Sequence, residues 1–319
     1  MDIYLLGIIA IALSGAMAGA WAIQRATGLS GWIDTIWSLV VGAGGVAAIL
    51  FANGGNTRRS VVFIVIALWS LRLASHIGMR TRGAKEDPRY AKFIEEWGDS
   101  AAWRLFVFLQ VQAVAAFVLV LAVYLAADNN ASVSRPQDFL AMFVAFISLG
   151  GETLSDYQLA RFRKSAGARN GICEVGLWRY SRHPNYFFEW LFWCCFPLFA
   201  LTGPAWSWLS VLAPIMMYWL LVHVSGIPPL EEYMLRSRGD TFRALQKRVN
   251  AFSPARANPC CLLAERFDEN LGVCNQRRWT CTNGMAFRLR LWICWRVQRR
   301  PPRNAAGGAC SCRPRATRS

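Results

Sequence analysis

Several ionisable side chains stand inside the most apolar stretches of this chain, at spacings that would place them on shared helix faces. Arg72 and His76 are four residues apart, as are Glu152 and Asp156. Side chains at i and i+4 are neighbours on a helix surface. Asp34 sits in Gly31-Trp32-Ile33-Asp34-Thr35-Ile36-Trp37, Glu189 follows Tyr186-Phe187-Phe188, and His223 closes the run that begins at Trp206. A charge in apolar surroundings is costly and usually marks a site that binds or reacts. The plainer readings are a solvated position at an interface for Asp34 and His223, a side chain reaching out to water for Arg72 and His76, and structural ion pairs for the carboxylates.

The segment from Asp156 to Glu189 is the richest in such groups. Asp156 and Arg163 lie two helical turns apart, and Ser181-Arg182-His183-Pro184-Asn185-Tyr186 leads to Glu189. Proline disfavours helix for the residue before it and is well placed in a first helical turn, so a helix is expected to open at Pro184. A helix start offers free N–H groups and positive potential to an anion, and arginine forks onto phosphate. This is the chemistry of capturing a phosphate-rich or carboxylate-bearing cofactor. A basic loop resting on anionic lipid headgroups is the alternative, but it requires neither Asn185 nor Glu189. No P-loop, H-E-x-x-H, nucleophile elbow or dinucleotide fingerprint is present. Gly42-Ala43-Gly44-Gly45 lies within an apolar run with no preceding strand and reads as helix packing.

These groups must be positioned by membrane-spanning helices. The 319 residues are 55% hydrophobic and only 17% charged, against about 25% charged in a soluble domain. Apolar runs cover Tyr4 to Ile23, Ile33 to Ala52, Val61 to Ile77, Leu105 to Ala127, Phe139 to Leu159, Phe187 to Thr202 and Trp206 to Val224. Runs of ~18 residues or more can cross a bilayer as helix, and a lipid-embedded backbone must satisfy its own hydrogen bonds. The expected fold is an all-α polytopic bundle of about seven transmembrane helices. The first run lacks a basic leader and a cleavage pattern, so it reads as a membrane helix.

Basic residues segregate by loop. Arg80, Arg82, Lys85, Arg89, Lys92 and Arg104 follow the third run, Arg161, Arg163, Lys164, Arg169, Arg179 and Arg182 the fifth, and Arg236, Arg238, Arg243, Lys247 and Arg248 the seventh. The alternate loops hold only Arg58, Arg59 and Arg135. The positive-inside rule therefore puts the N-terminus outside and the C-terminus in the cytoplasm. The net charge of +16 follows from this topology and a basic tail; with no groove-reading motif, nucleic acid is not expected as a partner.

Residues 1–254 form the expected membrane domain. Residues 255–319 form a tail of another composition, in which residues 256–319 hold thirteen Arg, no Lys and seven of the ten Cys. The tail lacks His and paired C-x₂-C ligands, so no zinc site is expected. Its composition resembles a GC-rich gene read out of frame, and the expectation is a disordered, dispensable segment.

Gly176-Leu177-Trp178-Arg179-Tyr180-Ser181-Arg182-His183-Pro184-Asn185-Tyr186 with Glu189, Arg80-Thr81-Arg82-Gly83 with Glu86-Asp87-Pro88-Arg89-Tyr90, and Ser225-Gly226-Ile227-Pro228-Pro229-Leu230-Glu231 with Phe242, Arg243 and Phe252 resemble the bacterial branch of the steroid 5-alpha-reductase family. The resemblance covers residues 1 to 254. It implies a seven-helix inner-membrane reductase that holds NADPH in a cavity open to the cytoplasm and takes an enone lipid, a steroid or similar, from the membrane. Cofactor binding falls on Asp156, Arg163, Asn185 and Glu189, with Arg82, Arg179, Arg182, His183, Tyr186 and Tyr233 at further matching positions. Asp34 stands near the acid that polarises the substrate carbonyl, so that hydride is delivered to the beta carbon. No metal is implied. Helix three carries Trp69 where the family has tyrosine, which argues against carrying over steroid specificity.

Membrane methyltransferases that act on isoprenylcysteine or phospholipids, and bind S-adenosylmethionine, also carry Arg-His-Pro-x-Tyr followed by glutamate. There a glycine usually follows the tyrosine; here Phe187 and Phe188 do. A non-catalytic lipid-binding protein is the third reading.

Overall fold

A computed structural model describes residues 2–82, 87–165, 171–201 and 205–254. The expected tail, residues 255–319, lies outside the described residues. The described chain is helical, with no strand among the described residues beyond one isolated bridge between Ser181 and Asn250.

The helices are α1 (Ile3–Thr27), α2 (Trp32–Leu50), α3 (Asn56–Thr81), α4 (Pro88–Trp97), α5 (Ala101–Ala127), α6 (Pro136–Arg163), α7 (Pro184–Trp193), α8 (Cys195–Ala200), α9 (Leu212–Trp219) and α10 (Ile227–Arg248). Six helical segments among the described residues are long and apolar enough to cross a membrane. Five are built on α1, α2, α3, α5 and α6, and the sixth is the stretch Ala205–Arg248. The run expected over Phe187 to Thr202 is instead two short helices, α7 and α8, that meet at Cys194. The all-α membrane bundle is as expected, with that run in two pieces.

Packing follows residue size. In α2, Gly42 faces Ser70 of α3, and a Cβ added there would collide with the serine side chain. At Gly45 a Cβ would lie 3.1 Å from Ile66 Cγ1. The glycines therefore let α2 and α3 approach closely, as the sequence pattern suggested. The far end of α5, Leu119 to Ala127, is buried on every side, as a helix apolar all round must be. It forms the axis around which α1, α2, α8 and α9 pack.

One end of the bundle is tied by buried polar groups. Arg58, in the first turn of α3, is 1% exposed. It donates to Ala131 O (3.0 Å), Ser132 O (3.2 Å), Phe199 O (3.1 Å) and both oxygens of Asp138 (3.1 and 3.2 Å). The sequence reading counted Arg58 as a loop cation; the structure corrects this, because α3 begins two residues earlier and carries the side chain inward. Arg59 donates to Ile49 O and Leu50 O (3.0 and 2.8 Å), satisfying carbonyls that the end of α2 leaves open. The opposite end of the bundle carries the ionisable groups singled out by sequence.

Candidate functional site

Three helices present polar stripes to one another at i, i+4 spacing. α3 contributes Arg72 and His76, with Trp69 one turn before. α6 contributes Glu152 and Asp156. α7 contributes Asn185, Glu189 and Trp193. Arg72 forms ion pairs with both Glu152 and Asp156. Asp156 also receives His76 Nε2 at 3.5 Å and Asn185 Nδ2 at 3.4 Å. Glu189 accepts the indole N–H of Trp69 (2.9 Å to Oε2) and of Trp193 (3.0 Å to Oε1). Glu152, Asp156 and Glu189 are all buried. Gly151 makes room for this arrangement, since a Cβ there would strike the Phe188 ring of α7.

A second group surrounds Asp34 at the start of α2. Arg89 donates to its Oδ2 at 2.5 Å and the Tyr90 hydroxyl to its Oδ1 at 2.9 Å. Both donors come from α4, whose apolar side packs Tyr90, Phe93 and Trp97 against Phe108 of α5. Asp87 opens α4 as its N-cap, accepting from Arg89 N (2.9 Å), and also takes the Arg89 guanidinium (3.0 and 3.1 Å). Tyr186 lies within electrostatic reach of Asp34, Asp87, Arg80 and Arg89. The first turn of α7 thus points Asn185 to one polar group and Tyr186 to the other.

A third group fixes that turn. Arg182 forks onto Glu231 (2.6 and 3.0 Å) and donates to Val249 O, while His183 reaches Glu231 at 3.3 Å. Gln246 donates to the same carboxylate at 2.8 Å. Backbone bonds from Arg182 N to Asn250 O (2.9 Å) and from His183 N to Ala251 O (3.1 Å) close the latch. Burial holds the His183 imidazole below its ordinary range, against the pull of Glu231.

The sequence-predicted residues therefore divide. Asp156, Asn185 and Glu189 meet in the first group, Asp34 and Tyr186 in or beside the second, and Arg182 and His183 in the latch. Arg82, Arg163, Arg179 and Tyr233 are exposed; Arg163 lies within electrostatic range of Asp156 and Arg80. His223 is exposed beside Tyr218. Sequence reasoning singled out Arg72 and Glu152 without assigning either to the cofactor or the substrate, and did not place Arg89 or Tyr90 in a site. The first two carried a signal as charges within apolar runs. Arg89 and Tyr90 carried none beyond the Asp-Pro-Arg-Tyr segment, because α4 reaches Asp34 only through tertiary folding.

At Asp87, burial raises the carboxyl pKa, but the hydrogen bonds and charge of Arg89 outweigh it and hold the group below its ordinary value. A depressed carboxylate contributes stability above its unfolded pKa and loses it as pH falls through the lower folded value. Docking of α4 is therefore expected to weaken below about pH 4. Asp87→Ala should remove that acid dependence and, as a lost N-cap, cost about 1 kcal/mol. Hydrogen exchange of the α4 amides against pH measures both.

The chain matches the family described as protein of unknown function, DUF1295, over residues 20–249. It is 25% identical over 267 residues to an uncharacterized protein, C594.04c, of Schizosaccharomyces pombe, covering 73% of this chain and 75% of that one. No solved structure matches the chain.

Proposed function

The chain belongs to the DUF1295 family, the steroid 5-alpha-reductase-like group, and from that premise we propose that it is a membrane-embedded, NADPH-dependent reductase of the C=C bond of an enone lipid. The observation that carries this reading is the first turn of α7, where Asn185 joins the Asp156 group and Tyr186 flanks the Asp34 group. A polar ligand and a carbonyl-bearing substrate would have to meet at such a point.

The residues present fit the cofactor class. Asn185 Oδ1 is buried and has no hydrogen-bond partner among the described residues. A buried acceptor without a donor carries a free-energy cost that an incoming N–H or O–H removes. Asn185 and Asp156 would hold amide or hydroxyl groups of NADPH, with Glu189 behind them. The exposed arginines at the same end, Arg82, Arg163 and Arg179, would take its phosphates, and Tyr233, exposed on α10, is a further candidate contact. When bound, NADPH supplies the two electrons of the reduction as hydride. The latch through Arg182 and His183 orients α7 and with it the cofactor-facing side chains.

Asp34 is assigned to the carbonyl end of the substrate. Both of its oxygens accept hydrogen bonds, from Arg89 and Tyr90, so it acts through the donors it holds. Those donors would stabilise negative charge building on the substrate oxygen, more strongly where water is excluded. By the positive-inside rule this end faces the cytoplasm of a bacterial inner membrane, with the N-terminus outside.

Titrating the detergent-purified full chain with NADPH and separately with S-adenosylmethionine tests the assignment. Saturable NADPH binding is expected, weakened roughly tenfold or more by Asn185→Ala through loss of a buried hydrogen bond. Binding of S-adenosylmethionine alone would make the protein a membrane methyltransferase. Asp34→Asn is expected to slow enone reduction by on the order of 10-fold to 100-fold while sparing NADPH affinity; unchanged turnover would remove Asp34 from the mechanism.

A further inference from the structure

The first polar group is unbalanced in charge. Glu152, Asp156 and Glu189, all under a tenth exposed, pair among the described residues with one guanidinium, that of Arg72; His76 stands beside Asp156, and Arg163 lies within electrostatic range of it. Two of the three carboxylates have their needs met by cations or N–H donors. Asp156 takes Arg72, His76 and Asn185, and Glu189 takes Trp69 and Trp193. Glu152 differs: Arg72 pairs with its Oε1, whereas Oε2 is buried and has no hydrogen-bond partner among the described residues. The neighbour of the Glu152 carboxyl across the α6–α7 contact is the Glu189 carboxyl. Two ionised carboxylates are acceptors only and repel each other, most strongly away from water. What is missing between them is a donor. The described residues hold no group of three or more His, Cys, Asp or Glu arranged for a metal ion.

We infer that Glu152 and Glu189 share one proton in the resting protein, carried on Glu152 and donated to Glu189, as a proton store within the membrane bundle. The proton satisfies the open oxygen, removes the like-charge repulsion and leaves the group one negative charge closer to neutral. The indole donors of Trp69 and Trp193 favour the ionised form of Glu189, which sets the direction of the donated bond. Among the described residues, Arg72 of α3 and Asp156 of α6 face the pair, with His76 and, at longer range, Arg163 beside Asp156.

The use of this proton rests on the reductase reading. Reduction of an enone takes a hydride at the beta carbon, from the nicotinamide cofactor, and a proton at the alpha carbon. In the second step the carboxyl O–H bond breaks, the enolate electron pair forms the new C–H bond, and the carboxyl pair is left doubly ionised. Its proton is then restored from the cytoplasmic end past Asp156 and His76.

The store itself is tested without cofactor or substrate. Infrared spectra of the purified full chain, in H₂O and D₂O, should show a protonated-carboxyl C=O band that persists at neutral pH, where solvated carboxylates are ionised. E152Q and E189Q should each remove the same band, since one proton belongs to the pair, while E232Q, at the surface, should leave it. Absence of the band in the wild-type protein at neutral pH overturns the inference even if a variant fails to fold. So does a band that survives both substitutions. A band present in a protein that binds no NADPH would retain the store and reject the reductase reading.

Discussion

Arg72→Met is expected to destabilise the bundle by about 3–5 kcal/mol, the usual cost of removing one partner from a buried ion pair. Arg72 is the cation paired with both Glu152 and Asp156. Methionine fills similar space but leaves the buried carboxylates of Asp156 and Glu189 without the guanidinium, with only His76 and Asn185 remaining on Asp156 among the described residues. Thermal unfolding in detergent should show the loss as a lower midpoint. The double variant Arg72→Met, Asp156→Asn should recover part of it, because the second change removes the charge that Arg72 would otherwise leave stranded. A cycle of the four proteins gives the coupling directly. Additive effects would mean that Arg72 acts by packing alone.

Arg58→Ala should also destabilise the bundle, by about 1–3 kcal/mol, through hydrogen bonds lost at its other end. Its guanidinium holds Asp138 of α6, two carbonyls of the connection before α6, and Phe199 O of α8. Asp138 retains Arg135, and Phe199 O retains Arg135 and Asn129, so the loss falls on the ties from α3 to the Ala131 and Ser132 carbonyls and to Asp138. Lysine at this position should rescue little, since a point charge cannot reproduce the planar fork that spans α3, α6 and α8. An unchanged unfolding midpoint for Arg58→Ala would show that the other polar ties at this end suffice. NADPH affinity measured on the folded fraction should be unaffected, because the group lies at the end opposite the α7 start.

The contrast between these two arginines shows what the sequence could convey. Arg72 was recognisable because it interrupts an apolar run, and burial of a charge has a cost that is visible without a fold. Arg58 looked like an ordinary loop cation because its burial depends on where α3 begins and on chain segments more than seventy residues away. The long helices were legible for the same reason as Arg72, since apolar length is a local property. The division of the Phe187 to Thr202 run was not, because the break at Cys194 is marked by no glycine, and Pro197 lies three residues beyond it. Asn185 and Glu189 were legible as a spaced pair beside Pro184. The link from Tyr90 to Asp34 was hidden, because a ten-residue amphipathic helix between two spans gives no sign of which neighbour it will dock on.

The first turn of α7 carries Asn185 and Tyr186 as consecutive residues, and the segment before it is bonded to the chain at Asn250 and Ala251. Consecutive helical residues point about 100° apart, so α7 cannot rotate to improve one contact without spoiling the other. The turn therefore behaves as a single rigid cam between the two polar groups. A molecule that shifts it towards Asp156 alters the surroundings of Asp34, and one that shifts it towards Asp34 alters those of Asp156. Thermodynamic linkage makes the two effects equal in free energy. In the proposed reductase, occupancy of either position would change the affinity of the other by the same factor, whichever is filled first.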